Sequence, residues 1–249
     1  MKPNIFLTCV LAVVAIAGCN PRKGDAATNT AVKVAPGKTA KQRDWAQVVT
    51  ATAAGGFVMG KPQAKVKLIE FGSMTCPHCA AFDEEGAPRL LDYVKTGQVS
   101  WEFRNYVRDA FDVTASLIAR CNGAKGFFPL TRALFHDQKN WEARIDAAPQ
   151  DQLKSAQDLP PDRQFVTLAK IGGLQQFAAA HGLPSAKANQ CLTDAGSVDK
   201  LVQMANDATT QFPGFPGTPT FVINGTMLES TATWDALEPQ LKNALGERG

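Results

Sequence analysis

The fold is decided by residues 66–79, which read VKLIEFGSMTCPHC. The mostly apolar run 66–71 predicts a strand that is buried on both faces, as in the middle of a sheet. A helix is predicted to follow from Cys76 onward. Pro77 suits the first turn of that helix, because an N–H group there would have no partner and the proline ring fixes a helical φ. Two cysteines separated by two residues therefore fall where a strand gives way to a helix.

The segments around this stretch extend the pattern. Residues 56–60 predict a short strand before it, and Gly86 and Pro88 predict a kink in the helix after it. Apolar and polar residues alternate over residues 99–107, which predicts another strand. The order strand, helix, strand indicates a βαβ unit with a parallel pair.

The second half of the body changes character at residue 110. The predicted helices are 111–124, 128–135, 165–180, 185–191 and 196–210, with no convincing strand among them. The chain then returns to β structure: a strand over 218–223, a hairpin turn at Asn224-Gly225, a strand over 226–229 and a closing helix over 233–245. We therefore expect an α/β protein whose sheet is interrupted by a helical insertion.

Composition and charge exclude several classes of protein. The 249 residues are 45% hydrophobic and 20% charged, which is ordinary for a globular domain and unlike a disordered chain or a polytopic membrane protein. The net charge is +3, but residues 1–44 hold seven Lys/Arg against two Asp, so the remainder sums to −2. A near-neutral body argues against nucleic acid as a partner.

The N-terminus predicts export. An apolar run over 5–17 follows Lys2, and its 13 residues are too few for a membrane-spanning helix of about 20, so we expect a signal peptide. Residues 15–17 offer an ordinary A-x-A cleavage site, whereas residues 16–19 resemble the bacterial lipobox, in which Cys19 becomes the lipidated first residue. Lipidation of Cys19, with Cys9 leaving in the signal, would leave an even set of four cysteines, which favours the second reading. Residues 19–44 are then expected to form a flexible basic tether. The residue after Cys19 is Asn20 rather than Asp, which by resemblance to bacterial lipoprotein sorting patterns favours the outer membrane as the place of anchoring.

The pair Cys76 and Cys79 suits disulfide exchange. A thiol at a helix N-terminus has a lowered pKa, because free N–H groups and the helix dipole favour the thiolate. His78 is the adjustable residue, since a partly cationic imidazole would stabilise that thiolate further and make the disulfide a stronger oxidant. Two other interpretations remain: half of a zinc site, which would need two more ligands, and a purely structural disulfide.

Residues 76–79 after a strand, the helical insertion, and the run GTPTF (217–221) before a hairpin together resemble the DsbA family of bacterial thiol:disulfide oxidoreductases, over roughly residues 54–246. The resemblance implies a thioredoxin-like fold over 45–109 and 209–249, with a helical domain inserted at 110–208. It implies that Cys76 is the attacking, solvent-facing sulfur. No organic cofactor and no metal are implied.

The same resemblance assigns three supporting residues. Pro219 would be cis and pack against the disulfide, and Thr218 would contact the substrate backbone. Glu70 would be a buried acid beneath the site that accepts a proton from Cys79; the alternative is that Glu70 ends an edge strand in water.

Other polar residues have plainer interpretations. We expect a solvated helix face at Asp83, Glu84 and Glu85, and surface or helix-end positions for His136 and His181. Phe127, Phe128, Phe135 and Phe165 are expected in the core rather than in a substrate groove. Cys121 and Cys191 are expected to form a structural disulfide that ties the insertion together, with a second redox pair as the alternative.

The function expected from the sequence is donation of the Cys76–Cys79 disulfide to reduced secreted proteins by a monomer in the bacterial periplasm, bound to a membrane through a lipid anchor. Reoxidation would fall to a DsbB-like, quinone-linked membrane protein. Two rivals stay open: a reductase or isomerase kept reduced by a membrane electron donor, and a binding or chaperone module on a thioredoxin scaffold without turnover.

Overall fold

Six strands form one mixed sheet in this computed structural model, which describes residues 43–247. The strands are β1 Val49–Ala51, β2 Phe57–Gly60, β3 Val66–Gly72, β4 Val99–Asn105, β5 Thr220–Ile223 and β6 Thr226–Met227. Their spatial order is β1-β2-β4-β3-β5-β6. Only β3 and β4 run parallel; every other neighbouring pair is antiparallel. The predicted βαβ unit and the C-terminal hairpin are confirmed.

Eleven α-helices surround the sheet in the described residues. Those that belong to the sheet unit are α1 Pro77–Glu85, α2 Ala87–Thr96 and α11 Trp234–Leu245. The insertion between β4 and β5 contains α3 Ala110–Arg120, α4 Gly123–His136, α5 Gln138–Asp146, α6 Gln150–Gln157, α7 Pro161–Ile171, α8 Leu174–Ala180, α9 Ser185–Leu192 and α10 Ala195–Gln211. The α/β fold with a helical insertion, expected from the sequence, is confirmed.

The central strand β3 is covered on both faces because its side chains alternate between two layers. Val66 and Leu68 belong to the larger core, which continues into the insertion. Phe71 points to the opposite face, where it packs with Val222 and with Ala208 of α10. The mostly apolar sequence of β3 thus follows from its position between β4 and β5.

The kink predicted at Gly86 and Pro88 in the helix after Cys76 is instead an interruption that separates two helices, α1 and α2. Gly86 ends α1 and caps α2, and its N–H group donates to the carbonyl of Phe82 at 2.7 Å. A Cβ atom at this position would lie 2.7 Å from the Phe82 ring, so only glycine allows α2 to begin so close to α1.

Several predicted helix boundaries are wrong. The helix predicted over 111–124 ends at Arg120, and α4 begins at Gly123 and runs through Pro129 without stopping. The helix predicted over 165–180 is interrupted at Gly172 and Gly173, the latter with a φ of 69°. Helices α5 and α6 and strand β1 were not predicted. Few residues of α5 and α6 are buried, so their sequences carry little apolar periodicity.

The aromatic residues of the insertion form its core, as expected. Phe127, Phe128, Phe135 and Phe165 are all buried. Phe127 stacks on Phe57 of β2, with ring centroids 4.4 Å apart, and so joins the insertion to the sheet.

The predicted signal peptide over 1–18, Cys19 and the tether up to residue 42 lie outside the described residues. Within 43–247, no helix is both long enough and apolar enough to cross a bilayer.

Cys121 and Cys191 are joined by a disulfide. Cys121 follows the last residue of α3 and Cys191 lies in α9, with Cα atoms 5.7 Å apart and 70 positions between them in sequence. The bond therefore closes a long loop that contains most of the insertion.

Removal of this bond should destabilise the protein. Replacing both Cys121 and Cys191 by Ala is expected to lower the free energy of unfolding by up to about 4 kcal/mol, because the unfolded chain regains the entropy of an open loop of this length. Guanidinium unfolding of the variant and the parent, with Cys76 and Cys79 oxidised in both, measures the difference. Equal midpoints and slopes would contradict a structural role.

Candidate active site

Cys76 lies at the amino end of α1. It is the N-cap residue, Pro77 occupies the first turn, and the peptide bond between Thr218 and Pro219 is cis. The Cys76 thiol donates to the Thr218 carbonyl oxygen at 3.2 Å, so the loop before β5 meets the helix terminus at the sulfur. Cys76 exposes only 3% of its surface. The expectation of a solvent-facing sulfur is wrong in this respect: Cys76 is buried, and the Thr218 carbonyl is one of the groups that lie against its sulfur.

The two thiols of the pair are in opposite electrostatic situations. A hydrogen bond from the Cys79 side chain is the main cause that lowers the pKa of Cys76 to about 5, against the effect of burial. The Thr218 side chain and the backbone N–H groups of Cys79 and His78 lower it further. The lowered pKa of Cys76 has the direction expected for this position, but its first cause is the neighbouring thiol, and the backbone of the helix terminus contributes less. The contribution of His78 among these causes comes from its backbone, and its side chain is exposed.

Cys79 is fully buried one turn further along α1. Burial raises the pKa of Cys79 well above its ordinary value, and the charges of Cys76 and Glu70 raise it further. Both cysteines are in the free thiol form. In the reduced pair, electrostatics therefore favour loss of the proton from Cys76 above a pH of about 5, while Cys79 keeps its proton.

Glu70 is the buried acid on the same side of the sheet as the active site. It exposes 2% of its surface on the central strand β3, which excludes the edge-strand alternative. Its carboxylate accepts a hydrogen bond from the indole nitrogen of Trp101 at 3.0 Å. Burial first, and then the charge of Asp83, raise the pKa of Glu70 well above its ordinary value. The carboxyl group is close enough to Cys79 and Cys76 for their charges to influence one another.

The expected solvated face at residues 83–85 is only partly correct. Glu84 and Glu85 are exposed, but Asp83 is buried and forms an ion pair with Arg132 of α4 at 3.4 Å. Asp83 lies next to Phe82 on the side of α1 that faces the interior, so the helix turns it inward. Burial raises its pKa in spite of the arginine.

Sequence reasoning missed the side chains that hold the turn before Cys76. The fully buried Asp112 of α3 accepts hydrogen bonds from the Ser73 hydroxyl at 2.5 Å and the Met74 N–H at 2.9 Å. Arg108 donates to the hydroxyls of Ser73 and Thr75, at 2.9 and 2.8 Å. A signal was present for Asp112, since it is an acid on the apolar face of a predicted helix.

Gln138 of α5 completes this arrangement. Its buried amide donates to the carbonyl oxygens of Met74 at 2.7 Å and Cys76 at 3.1 Å. Two helices of the insertion, α3 and α5, therefore contact the turn before Cys76. Nothing in the sequence near Gln138 distinguishes it from the polar residues around it.

The remaining candidates take no part in this cluster. His136 and His181 are exposed at the ends of α4 and α8, as expected. Across residues 43–247, no three side chains of His, Cys, Asp or Glu are arranged to hold a metal ion. The pair Cys121 and Cys191 is accounted for by its own disulfide.

The first prediction for the site concerns Cys79. Replacing Cys79 by Ala should raise the pKa of Cys76 from about 5 toward its ordinary value, because it removes the hydrogen bond that lowers this pKa most. The ultraviolet absorbance of the thiolate, followed against pH, measures the pKa with Cys76→Ala as the blank. An unchanged titration curve in Cys79→Ala would mean that the helix terminus alone stabilises the thiolate.

The second prediction concerns the pH dependence of stability. A carboxyl group whose pKa is raised on folding contributes stability that is complete below its unfolded pKa and is lost as the pH rises through its folded pKa. Glu70→Gln should therefore be more stable than the parent at pH 8, with the advantage vanishing near pH 4. Unfolding of the oxidised proteins tests this without titrating thiols. Glu85→Gln, an exposed carboxylate on α1, is the matched control and should show no such trend; a parallel trend in both variants would contradict the assignment.

Known proteins share this architecture. A family model described as thioredoxin matches residues 52–243. The crystal structure of protein-disulfide isomerase from Novosphingobium aromaticivorans is 32% identical, with a TM-score of 0.72, over 76% of this chain and 97% of that one. The crystal structure of Wolbachia pipientis alpha-DsbA1 is 22% identical, with a TM-score of 0.62, over 79% and 94% of the two chains.

Relatives from Rickettsia are also similar. One from Rickettsia bellii, which has a provisional name as a protein-disulfide oxidoreductase, is 29% identical over 70% of this chain. The match covers 59% of that relative's own length. The family model covers more than half of this chain, from before β2 to within α11. The chain therefore belongs to the thioredoxin family, with the DsbA-like arrangement of a thioredoxin sheet and a helical insertion.

Proposed function

We propose that the chain is an exported protein thiol:disulfide oxidoreductase that donates the Cys76–Cys79 disulfide to reduced secreted proteins. The observation that carries this proposal is the contrast between the two thiols. The pKa of Cys76 is lowered to about 5, whereas burial raises that of Cys79 well above its ordinary value. A stable thiolate is a good leaving group, so a disulfide that contains it is readily reduced by substrate thiols.

The proposed reaction has two exchange steps. A substrate thiolate attacks the Cys76 sulfur, a mixed disulfide forms, and the Cys76–Cys79 bond breaks with its electrons going to Cys79. Glu70 would supply the proton that the Cys79 thiolate then takes up, and would accept it back from Cys79 when the pair is reoxidised; its raised pKa supports this role. A second substrate thiolate attacks the substrate sulfur of the mixed disulfide and releases the Cys76 thiolate. Substrate loses two electrons and the pair gains them.

The supporting residues have proposed roles in these steps. Thr218 would hold the substrate backbone beside the sulfur, and Pro219 would shape the loop that presents it. His78 is exposed next to Cys76, so its side chain would adjust the stability of the thiolate and hence the potential. Cys121 and Cys191 would remain joined throughout the cycle and serve a structural purpose.

The cellular setting is part of the proposal. The segment before residue 43 would deliver the chain to the periplasm and anchor it through a lipid on Cys19, with an outer-membrane preference. A quinone-linked, DsbB-like membrane protein would reoxidise the pair. No cofactor of its own would be needed, because the electrons move between sulfur atoms, and a monomer would suffice.

The direction of electron flow separates this function from its first rival. One similar structure is that of a protein-disulfide isomerase, and a 22% identical relative from Bacillus subtilis is named disulfide bond formation protein D. These names do not agree on whether such proteins oxidise or rearrange the disulfides of their substrates. The relative stability of the reduced and oxidised forms of the Cys76–Cys79 pair therefore has to separate the two functions. The lowered pKa of Cys76 favours the reduced form and therefore the oxidase.

A redox titration in glutathione buffers, with thiols alkylated and counted by mass spectrometry, tests the proposal. We expect a potential well above that of the glutathione pool and two titrating thiols, which disappear as a pair in Cys76→Ala. A potential at or below about −270 mV, the thioredoxin value, would favour a reductase instead. Four titrating thiols would assign Cys121 and Cys191 to the chemistry. If Cys76→Ala still assists the folding of a secreted protein as well as the parent does, a binding or chaperone module without catalytic turnover is favoured instead.

A further inference from the structure

A groove of about 1100 Å³ begins beside the reactive cysteine. One wall is the outer face of α1, from Pro77 through Ala80 and Ala81 to Glu84. The other wall comes from α4, α5 and α8 of the insertion, including Phe177. Two residues of its lining adjoin Cys76: Pro77 follows it in the chain, and Gln138 donates to its carbonyl oxygen. An occupant of the groove and a thiol reacting at Cys76 can therefore belong to the same polypeptide.

The length of the groove sets the size of its occupant. Seven residues of helix separate Pro77 from Glu84, which corresponds to about 10 Å along the helix axis. An extended chain advances about 3.3 Å per residue. The groove therefore accommodates about three residues of an extended segment next to the one that reacts.

The charges along the groove favour a cationic occupant. The Asp83 carboxylate is already neutralised by Arg132. Glu84 and Glu142 have neither an ion pair nor a hydrogen bond to any side chain of the described residues, and Asp137 accepts only from the amide of Asn140. The basic side chains of the lining are Lys139, the paired Arg132, and the two histidines His136 and His181. Four carboxylates therefore face one lysine and one arginine, and the arginine is already paired.

Glu142 is the carboxylate best placed to contact a substrate close to the reacting sulfur. It is half-buried on α5, one turn after Gln138, whose amide binds the Cys76 carbonyl. Burial raises the pKa of Glu142, and the negative charges of Asp146, Asp109 and Cys76 contribute, while only Arg108 opposes them. A carboxylate in such surroundings is stabilised when a cation approaches.

We propose that this groove holds the segment adjacent to the reacting cysteine of a substrate, and that Glu142 selects substrates with Lys or Arg within about three residues of that cysteine. The inference rests on the proposed function and adds its substrate class. Glu142 acts as a specificity residue: it contacts the flanking side chain, and the sulfur exchange at Cys76 proceeds as described above.

The test uses the full oxidised protein and reduced peptides with one cysteine each. The peptides differ at a single position within three residues of the cysteine, which is Lys, Gln or Glu. Attack of the peptide thiolate forms the mixed disulfide with Cys76 and frees Cys79, and the second-order rate of this step is followed by mass spectrometry after acid quenching. We expect the Lys peptide to react about two to five times faster than the Gln peptide at low salt, the range of a partly exposed ion pair, and the Glu peptide to be slowest.

The Lys-to-Gln rate ratio is the decisive quantity. Removing the Glu142 charge changes the reactivity of Cys76 toward all peptides alike, and this common factor cancels in the ratio. In Glu142→Gln the ratio should fall toward one, whereas Glu85→Gln, with the same change of charge on an exposed residue outside the groove, should keep the parent ratio. Added salt should reduce the parent ratio.

Three results would overturn the proposal. These are a parent ratio of one at every position, an unchanged ratio in Glu142→Gln, or an equal fall in both variants, which would reflect overall charge rather than the groove. If no peptide reacts with the oxidised parent, the proposed oxidase function fails instead, so the two failures are distinct.

Discussion

The structure depends on one constraint: the Cys76 sulfur must lie at the amino end of α1, where a neighbouring thiol and free N–H groups stabilise negative charge. The Cys79 side chain and the backbone of Cys79 and His78 all contribute to the lowered pKa of Cys76. Burial works against them, since it disfavours the thiolate. The pKa of Cys76 is nevertheless lowered, so the contributions from Cys79, Thr218 and His78 outweigh the effect of burial. Moving the turn before Cys76 would separate the sulfur from donors that lie on a rigid helix.

The helical insertion keeps this turn in place. Asp112 and Arg108 bind Ser73, and Gln138 binds the carbonyl of Cys76. Buried polar groups of this kind are costly to leave unpaired. A rearranged turn would strand the Asp112 carboxylate inside the protein, and this penalty makes the observed geometry the stable one. The insertion is thus part of the active-site architecture as well as a wall of the groove.

Five of the six strands, the interruption at Gly86 and the position of Cys76 could be predicted from sequence because each follows from local rules of periodicity and helix ends. The burial of Glu70 followed from its place in an apolar strand together with a family resemblance. Gln138 could not be predicted, because its importance arises from contacts with residues more than 60 positions away. Asp83 was misjudged because its neighbours Glu84 and Glu85 are exposed and only helix phase separates it from them. Local patterns locate the reactive sulfur, whereas its supports come from tertiary packing.

Two buried acids, Glu70 and Asp83, lie beneath the active site. A carboxyl group buried in an apolar core opposes folding whenever it is ionised, and within residues 43–247 the one hydrogen-bond donor to Glu70 is the indole N–H group of Trp101. The negative charge of Asp83 raises the Glu70 pKa, and Arg132 only partly compensates Asp83 itself. Packing alone would favour an apolar residue at position 70. A group that holds its proton above the usual pH range beside a buried thiol is suited to exchange that proton when Cys79 is released from its disulfide.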